Sequence, residues 1–159
     1  MALAYLCLGS NLGDRDLYLS EARQEIARTF GSVRFSSIYE TEPVEFLDQP
    51  WFLNQVAEVR TDLPPETLLE WAQSLEERMG RVRDISKGPR TLDVDILLYD
   101  DLVLLEKRLT LPHPSMVERR HVLVPLAELA PKLKIPVHDL TVEEALGRVA
   151  DKAQVKPFH

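Results

Sequence analysis

Continuous runs of apolar residues alternate along the chain with segments in which apolar residues recur every three or four positions, as in a helix. Residues 3–8 are continuously apolar, which is typical of a central strand. Between residues 14 and 29 apolar side chains recur at helical spacing, and Asp14 is placed to cap that helix. The same reasoning predicts strands at 3–8, 32–41, 52–61 and 91–99, a turn at 9–13, a loop at 42–50, a hairpin at 103–111, and helices at 14–29, 64–79, 118–129 and 142–149.

The order of these elements predicts a fold of the α+β class. Strand, helix, strand, strand, helix, strand is the order of a ferredoxin-like sandwich, in which helices cover one face of an antiparallel sheet. A C-terminal hairpin and further helices would extend it. With 159 residues and no internal repeat, residues 1–159 are expected to form one domain. Because this fold hosts many activities, function must be argued from individual residues.

Composition narrows the classes of partner. The net charge of −7 argues against broad binding to nucleic acid or anionic membranes, and no apolar run approaches the roughly 20 residues of a membrane helix. The single cysteine, Cys7, lies in a predicted strand, where a buried structural role is favoured over a catalytic thiol. One cysteine cannot form an internal disulfide and the N-terminus has no basic leader, so a reduced, cytoplasmic location is expected. The chain is also expected to be a monomer.

The strand predicted at 91–99 carries the most informative pattern. Because side chains alternate along a strand, Asp93 and Asp95 share one face, with Cα atoms roughly 6–7 Å apart. Paired carboxylates suit Mg²⁺ and could hold two ions about 4 Å apart, as in phosphoryl transfer. A solvated sheet face is the alternative interpretation. The opposite face is predicted to be apolar, with Leu92, Val94, Ile96 and Leu98.

A cationic cluster precedes this strand. Between residues 78 and 90, the only acid is Asp84, and the cations are Arg78, Arg81, Arg83, Lys87 and Arg90. Guanidinium groups bind phosphate oxygens bidentately, and metal-binding acids beside arginines suit a nucleoside triphosphate. Surface ion pairs are the alternative. The combination favours a magnesium-dependent enzyme that transfers phosphate from ATP to a small planar alcohol.

Three other residues are candidates for ligand contacts. His113 lies between two prolines, and Arg119 lies near a predicted helix start, so either could contact phosphate. Asn54 lies on a strand face with Phe52, where an amide could satisfy the edge of a heterocycle while the ring stacks. A plain loop role for His113 and a backbone-capping role for Asn54 stay open. The chain lacks a glycine-rich phosphate loop, so side chains and metal would hold ATP.

Six ordered segments resemble motifs of the 6-hydroxymethyl-7,8-dihydropterin pyrophosphokinase family of folate biosynthesis. They are LGSNLG (8–13), YETEP (39–43), FLN (52–54), GRVR (80–83), GPRTLDVD (88–95) and LPH (111–113). The resemblance covers nearly the whole chain, and the GPRTLDVD block is highly specific. It implies that the substrate's hydroxymethyl oxygen attacks the β-phosphorus of ATP and that AMP leaves.

The resemblance also implies roles for individual residues. Asp93 and Asp95 would hold two Mg²⁺ ions, while Arg81 and Arg90 would stabilise charge on the transferring group. The ATP site would comprise Gln73, Glu76, Arg83, Ile96, Arg108, Thr110, His113 and Arg119. The pterin would be framed by Thr41, Pro43, Val44, Phe52 and Asn54, with His121 at a position where relatives carry a stacking aromatic ring. Loops at 42–50 and 84–88 would close over the substrates.

The chain departs from the family pattern at three positions and in one loop length. Lys87 stands where many relatives have tryptophan, Pro114 where a tyrosine often follows the histidine, and His121 where an aromatic ring sandwiches the pterin. The loop after Arg83 is one residue shorter. These changes bear on lid motion and pterin affinity. Two rival hypotheses are a non-catalytic module that binds a nucleotide or RNA, and a metal-dependent phosphohydrolase built on Asp93, Asp95 and His113.

Overall fold

The structure is a computed structural model that describes residues 1–44, 47–80 and 91–159. Its strands are β1 (Ala2–Ser10), β2 (Val33–Phe35), β3 (Tyr39–Thr41), β4 (Phe52–Thr61), β5 (Asp93–Tyr99), β6 (Leu104–Leu105), β7 (Thr110–Leu111), β8 (Lys134–Ile135), β9 (Leu140–Thr141) and β10 (Val155–Pro157). Its helices are α1 (Arg15–Phe30), α2 (Pro65–Arg78), a 3₁₀ turn (Met116–Glu118), α3 (Arg120–Leu129) and α4 (Val142–Arg148).

The main sheet is antiparallel and has the strand order β10-β3-β4-β1-β5, with β2 also paired to β4. The predicted α+β class is confirmed. The strand predicted at 32–41 is divided into β2 and β3, because the hydroxyl of buried Ser36 accepts the backbone N–H of Val56 at 2.9 Å where a ladder carbonyl would stand. The pairs β6–β7 and β8–β9 form two small separate sheets.

Local sequence explains where the first two helices begin and end. Asp14 caps α1 by accepting the backbone N–H of Leu17 at 3.1 Å, and Gly31 follows the helix with a φ of 76° that favours glycine. Pro65 occupies the first turn of α2, where its missing N–H costs nothing, and Gly80 follows with a φ of 80°. Both helices match the predicted spans within two residues.

Helices cover both faces of the sheet, so the prediction that they cover one face is wrong. On one face, Leu6 and Leu8 of β1 join a core formed with α1 and α2. On the other face, Tyr5 and Cys7 join a second core formed with α3 and α4. The side-chain alternation of a buried central strand therefore supplies two cores. None of the helices in the described part of the chain has the length and apolar character that a membrane crossing requires.

The side-chain direction predicted for Leu98 is wrong, because β5 contains a bulge. Tyr5 pairs with Leu98 but Leu6 pairs with Ile96, so Leu97 is an extra residue opposite β1. The bulge turns Leu98 into the second core, whereas alternation predicts it on the face of Ile96. Asp93 precedes the bulge, so the predicted alternation holds at the acidic end of the strand.

Candidate functional site

A cavity opens on the sheet face that carries the second core, beside that core. Its volume is about 560 Å³ including the open mouth. We call it the sheet cavity. Its lining comes from β1, β3, β4, β5, the loop after β3 and the start of α3, and comprises Cys7, Thr41, Glu42, Pro43, Val44, Gln49, Phe52, Asn54, Asp93, Asp95, Arg119 and His121.

Gly9 provides the space at the floor of this cavity. In the ladder it lies between Asn54 on β4 and Asp93 on β5. A Cβ atom at Gly9 would lie 2.8 Å from Asn54 Nδ2 and 3.5 Å from Phe52 Cδ1, closer to the amide than real Cβ contacts allow. The prediction that Gly9 belongs to a turn is therefore wrong, since it is a strand residue whose missing side chain keeps the floor open.

The two carboxylates predicted to share a face both line the sheet cavity. Asp95 pairs with Cys7 across the ladder, two residues along from the pair of Asp93 with Gly9. Between them the backbone N–H of Val94 donates to Glu76 Oε2 at 2.8 Å, from the opposite side of the sheet. This bond from a buried glutamate fixes the strand from which both aspartates project.

The acids also affect Cys7. Burial, then the charges of Asp95 and Asp93, raise the pKa of the Cys7 thiol well above its ordinary value. A protonated, almost fully buried thiol is a poor nucleophile, so the predicted structural role of Cys7 is consistent with its surroundings. Its position in the cavity lining was not predicted.

Asn54 is held by its neighbours in one orientation. Its Oδ1 accepts the Thr41 hydroxyl at 2.5 Å, and its Nδ2 donates to the carbonyl of Leu8 at 3.2 Å. The amide is 5% exposed yet still borders the cavity. The backbone-capping interpretation of Asn54 is observed, because the amide bonds the backbone of a neighbouring strand. Its contact with a heterocycle stays a prediction.

His121 lies in the first turn of α3. Burial, together with the charge of Arg119, lowers its pKa to about 4. Its imidazole is therefore neutral at neutral pH and presents a flat, weakly polar ring. Pro125, one helical turn later, has no N–H to donate to the carbonyl of His121, which leaves the start of α3 less tightly bonded there.

The structure divides the predicted site residues into three groups. Those that line the sheet cavity are Thr41, Pro43, Val44, Phe52, Asn54, Asp93, Asp95, Arg119 and His121. Those that are described but absent from its lining are Gln73, Glu76, Ile96, Arg108, Thr110 and His113. Those that lie outside the described residues are Arg81, Arg83 and Arg90.

Members of the second group have identifiable surroundings. Ile96 belongs to the first core, and exposed Arg108 lies between β6 and β7. The backbone N–H of His113 donates to the carbonyl of Leu97 at 2.9 Å, and its Nδ1 accepts the N–H of Ser115 at 3.2 Å. His113 is thus anchored against the bulge of β5.

The chemistry of the lining fits a hard divalent cation. Among the described residues no group of three or more His, Cys, Asp or Glu side chains is arranged to hold a metal. Asp93 and Asp95 supply hard oxygen ligands from neighbouring positions, and Mg²⁺ is commonly bound by one or two carboxylates with phosphate oxygens completing its shell. The residues present therefore suit a metal delivered with a phosphorylated substrate better than an all-protein metal site.

Related proteins are similar in sequence to this chain over most of its length. One from Bacillus subtilis, named 2-amino-4-hydroxy-6-hydroxymethyldihydropteridine pyrophosphokinase, is 46% identical over 83% of this chain and 80% of its own. A relative of the same name from Methylorubrum extorquens is 45% identical over 94% of both chains. The folic acid synthesis protein fol1 of Schizosaccharomyces pombe is 42% identical, and the match spans 20% of that longer protein.

Solved structures and a family model extend the comparison. The crystal structure of wild-type Plasmodium falciparum HPPK-DHPS with SDX-DHP superposes with a TM-score of 0.72 at 17% identity, over 93% of this chain and 43% of that one, which supports the fold alone. A family model described as 7,8-dihydro-6-hydroxymethylpterin-pyrophosphokinase (HPPK) matches residues 5–131. With this match and the identities of its relatives, the chain belongs to the 7,8-dihydro-6-hydroxymethylpterin-pyrophosphokinase family.

Proposed function

We propose that this chain transfers a pyrophosphoryl group from ATP to the hydroxymethyl group of 6-hydroxymethyl-7,8-dihydropterin and releases AMP, as a step of folate biosynthesis. Family membership supports the reaction class. One structural observation carries the proposal: Asn54, Gly9 and Asp93 form one row across three strands, so a fixed amide and a carboxylate share a cavity.

The half of the cavity around Asn54 suits a flat heterocycle. Phe52 offers an aromatic ring, and the neutral ring of His121 offers a second flat surface. The fixed Asn54 amide, bonded to Thr41, provides donor and acceptor atoms of defined orientation. A pterin has both a planar ring and an edge rich in donors and acceptors, which is what this lining can satisfy.

The half around Asp93 and Asp95 suits the triphosphate. These carboxylates would hold two Mg²⁺ ions, which when bound would offset the negative charge of the phosphates. Arg119, also in the lining, adds a fixed positive charge close to the acids. By family resemblance Arg81 and Arg90 would stabilise charge on the transferring group, and the remaining ATP contacts would come from Gln73, Glu76, Arg83, Ile96, Arg108, Thr110 and His113.

The transfer balances as one substitution at phosphorus. The hydroxymethyl oxygen forms a bond to the β-phosphorus of ATP, and its proton is released. The bond from that phosphorus to the oxygen bridging to the α-phosphorus breaks, and the electron pair leaves on AMP. The residues of the chain serve to hold the hydroxymethyl group near that phosphorus and to exclude water from it.

Domain organisation, oligomeric state, location and partners also belong to this proposal. Residues 1–159 would form a single catalytic domain that acts as a monomer in the cytoplasm. Its partners would be the two small-molecule substrates, with no role for nucleic acid or membrane. The net charge of −7 argues against broad binding to nucleic acid or anionic membranes, whereas a compact anion such as ATP needs only a local cluster of cations.

Product analysis distinguishes the proposal from its rivals. The protein is incubated with ATP, Mg²⁺ and the hydroxymethyl pterin, and the nucleotide and pterin products are separated by chromatography. We expect AMP and a pyrophosphorylated pterin in equal amounts, and neither without the pterin. Release of AMP or phosphate without an acceptor would favour a phosphohydrolase. ATP binding without turnover would favour a binding module.

A further inference from the structure

The loop that follows β3 supplies part of the cavity wall. Among the cavity-lining residues, Glu42, Pro43 and Val44 lie at its first described end, and Gln49 lies at its second. We call residues 42–44 and 47–51 the loop ends. The shape of the cavity depends on how these two ends are held, because Val44 and residues 47, 48 and 50 are exposed and contribute little packing of their own.

Arg15, the first residue of α1, contacts three separate segments: β3, the second loop end and the C-terminal segment. Its Nη1 donates to Glu40 Oε2 on β3 at 2.9 Å and to the carbonyl of Trp51 at 2.9 Å. Its Cζ lies 5.8 Å from the ring centroid of Phe158, near the C-terminus. The side chains of Arg15 and Glu40 are about one quarter exposed, so this ion pair is better shielded from water than an ordinary surface pair.

The helix itself gives no reason for a cation at this position. The N-terminus of a helix carries partial positive charge, which disfavours a cationic residue in the first turn. Asp14 and Asp16 surround Arg15 with the acids that a first turn favours. The contacts of Arg15 with the loop end and with β3 therefore account for its place better than helix stability does.

The C-terminal strand completes the support. The backbone N–H of Glu42 donates to the carbonyl of Gln154 at 3.0 Å, and the N–H of Gln154 donates back to Glu42 Oε1 at 2.9 Å. The ammonium group of Lys156 lies 5.1 Å from the Trp51 ring centroid. Gln154, directly before β10, thus holds the first loop end through Glu42, and Lys156 of β10 contacts the second through Trp51.

We infer that Arg15 is a positioning residue for the substrate-binding wall, acting with β10 as a brace on both loop ends. The inference rests on the proposed function for the identity of the substrate. Arg15 does not line the described cavity, so its effect would pass through Trp51 and Glu40. Loss of the brace should weaken binding of the planar substrate and leave the binding of ATP at the acid pair unchanged.

Kinetics with a matched control test this inference. Arg15→Ala removes the brace, Arg15→Lys keeps the charge without the fork of donors, and Arg28→Ala removes an exposed α1 arginine paired with Glu25. We expect Arg15→Ala to raise KM for the pterin roughly tenfold, because the wall loses one or two charge-assisted hydrogen bonds that hold it in place. KM for ATP should stay within about twofold, Arg15→Lys should recover part of the loss, and Arg28→Ala should match wild type.

A fluorescence measurement tests the brace without any turnover. In a Trp71→Phe background Trp51 is the remaining tryptophan, and its quenching by acrylamide reports how firmly the second loop end is held. We expect Arg15→Ala and Phe158→Leu to increase quenching, and Arg28→Ala to leave it unchanged. If Arg15→Ala is poorly folded, Arg15→Lys and Phe158→Leu provide the same comparison.

The outcomes separate the brace from the proposed function. Unchanged quenching and unchanged pterin KM in Arg15→Ala would overturn the brace while leaving the activity in place. Equal rises in both KM values would also overturn it, since they indicate general damage. A wild-type protein that does not use the pterin, but whose Trp51 becomes accessible in Arg15→Ala, would refute the proposed function and support the brace.

Discussion

One face of the central sheet behaves differently at its two ends. Towards the start of β1, Tyr5 and its neighbours Val56 and Leu98 are covered by α3 and α4. Towards the end of β1, the same face carries Gly9, Asn54 and Asp93 and is open as the sheet cavity. Both ends lie on the same three strands, but the bulge in β5 separates them and turns Leu98 into the core. The difference therefore comes from that bulge and from the size and polarity of the side chains. The cavity therefore lies on the part of this sheet face where small and polar residues replace the large apolar ones.

The largest effect is expected at the open end, from the loss of one carboxylate. Asp95→Ala should lower kcat/KM by roughly a thousandfold or more, because the metal that would offset the triphosphate charge loses a ligand, and charge stabilisation of this kind is worth several kcal/mol. The melting temperature should change little, since Asp95 lines the cavity and not a core. Near-normal turnover in a folded Asp95→Ala protein would remove the metal assignment.

At the covered end, a substitution should lower stability and leave activity unchanged, the opposite of the result expected for Asp95→Ala. Leu98→Ala removes a fully buried side chain from the second core and should lower the free energy of unfolding by about 3 kcal/mol. Chemical denaturation measures this loss. Turnover per folded molecule and KM for the pterin should stay close to wild type. A large rise in KM with little loss of stability would show that the two ends are not separable.

Filling the floor of the cavity should weaken pterin binding and destabilise the fold less than Leu98→Ala does. Gly9→Ala places a methyl group 2.8 Å from Asn54 Nδ2, so the amide must turn and lose its bond to Leu8. We expect KM for the pterin to rise roughly 30-fold, since the loss of a fixed polar contact costs about 2 kcal/mol. Gly147→Ala is the matched control, because nothing lies within 4 Å of its new methyl group. Equal effects of both changes would contradict the role of Gly9.

The smallest effect concerns pH and His121. Its folded-state pKa of about 4 lies below the ordinary value of 6.5, so the unfolded chain takes up the proton first as pH falls. His121 should therefore cost up to about 2 kcal/mol of stability between pH 7 and pH 5. Denaturation curves of wild type and His121→Phe at both pH values measure this difference. Equal pH slopes in the two proteins would show that His121 is not responsible.

Local pattern predicted the elements that depend on nearby residues. β4 begins and ends where its periodicity does, and α2 is bounded by proline and glycine as predicted. β8, β9 and β10 were not predicted, because two or three residues carry no measurable periodicity. The bulge that redirects Leu98 was also missed, since it is a property of pairing with β1 and is not visible within β5.

The residues of the candidate site also fall into those that the sequence predicted and those that depend on distant segments. Alternation alone places Asp93 and Asp95 together, and the motif resemblance identifies the residues around Asn54. Cavity residues such as Glu42 and Gln49 were missed, because their position depends on hydrogen bonds to distant segments, such as that from Asn11 to Gln49 at 2.8 Å. Arg15 gave no sequence signal for the same reason.

The central claim is that the heterocycle and the metal-bound triphosphate occupy neighbouring halves of one cavity. Asn54 and Asp93 lie two strands apart, so the two ligands should lie within about 10 Å of each other. NMR relaxation of the pterin protons, with Mn²⁺ replacing Mg²⁺ beside a non-hydrolysable ATP analogue, measures that separation. The account predicts strong relaxation that disappears in Asp95→Ala. Weak relaxation while pterin, nucleotide and Mn²⁺ are all bound would contradict it.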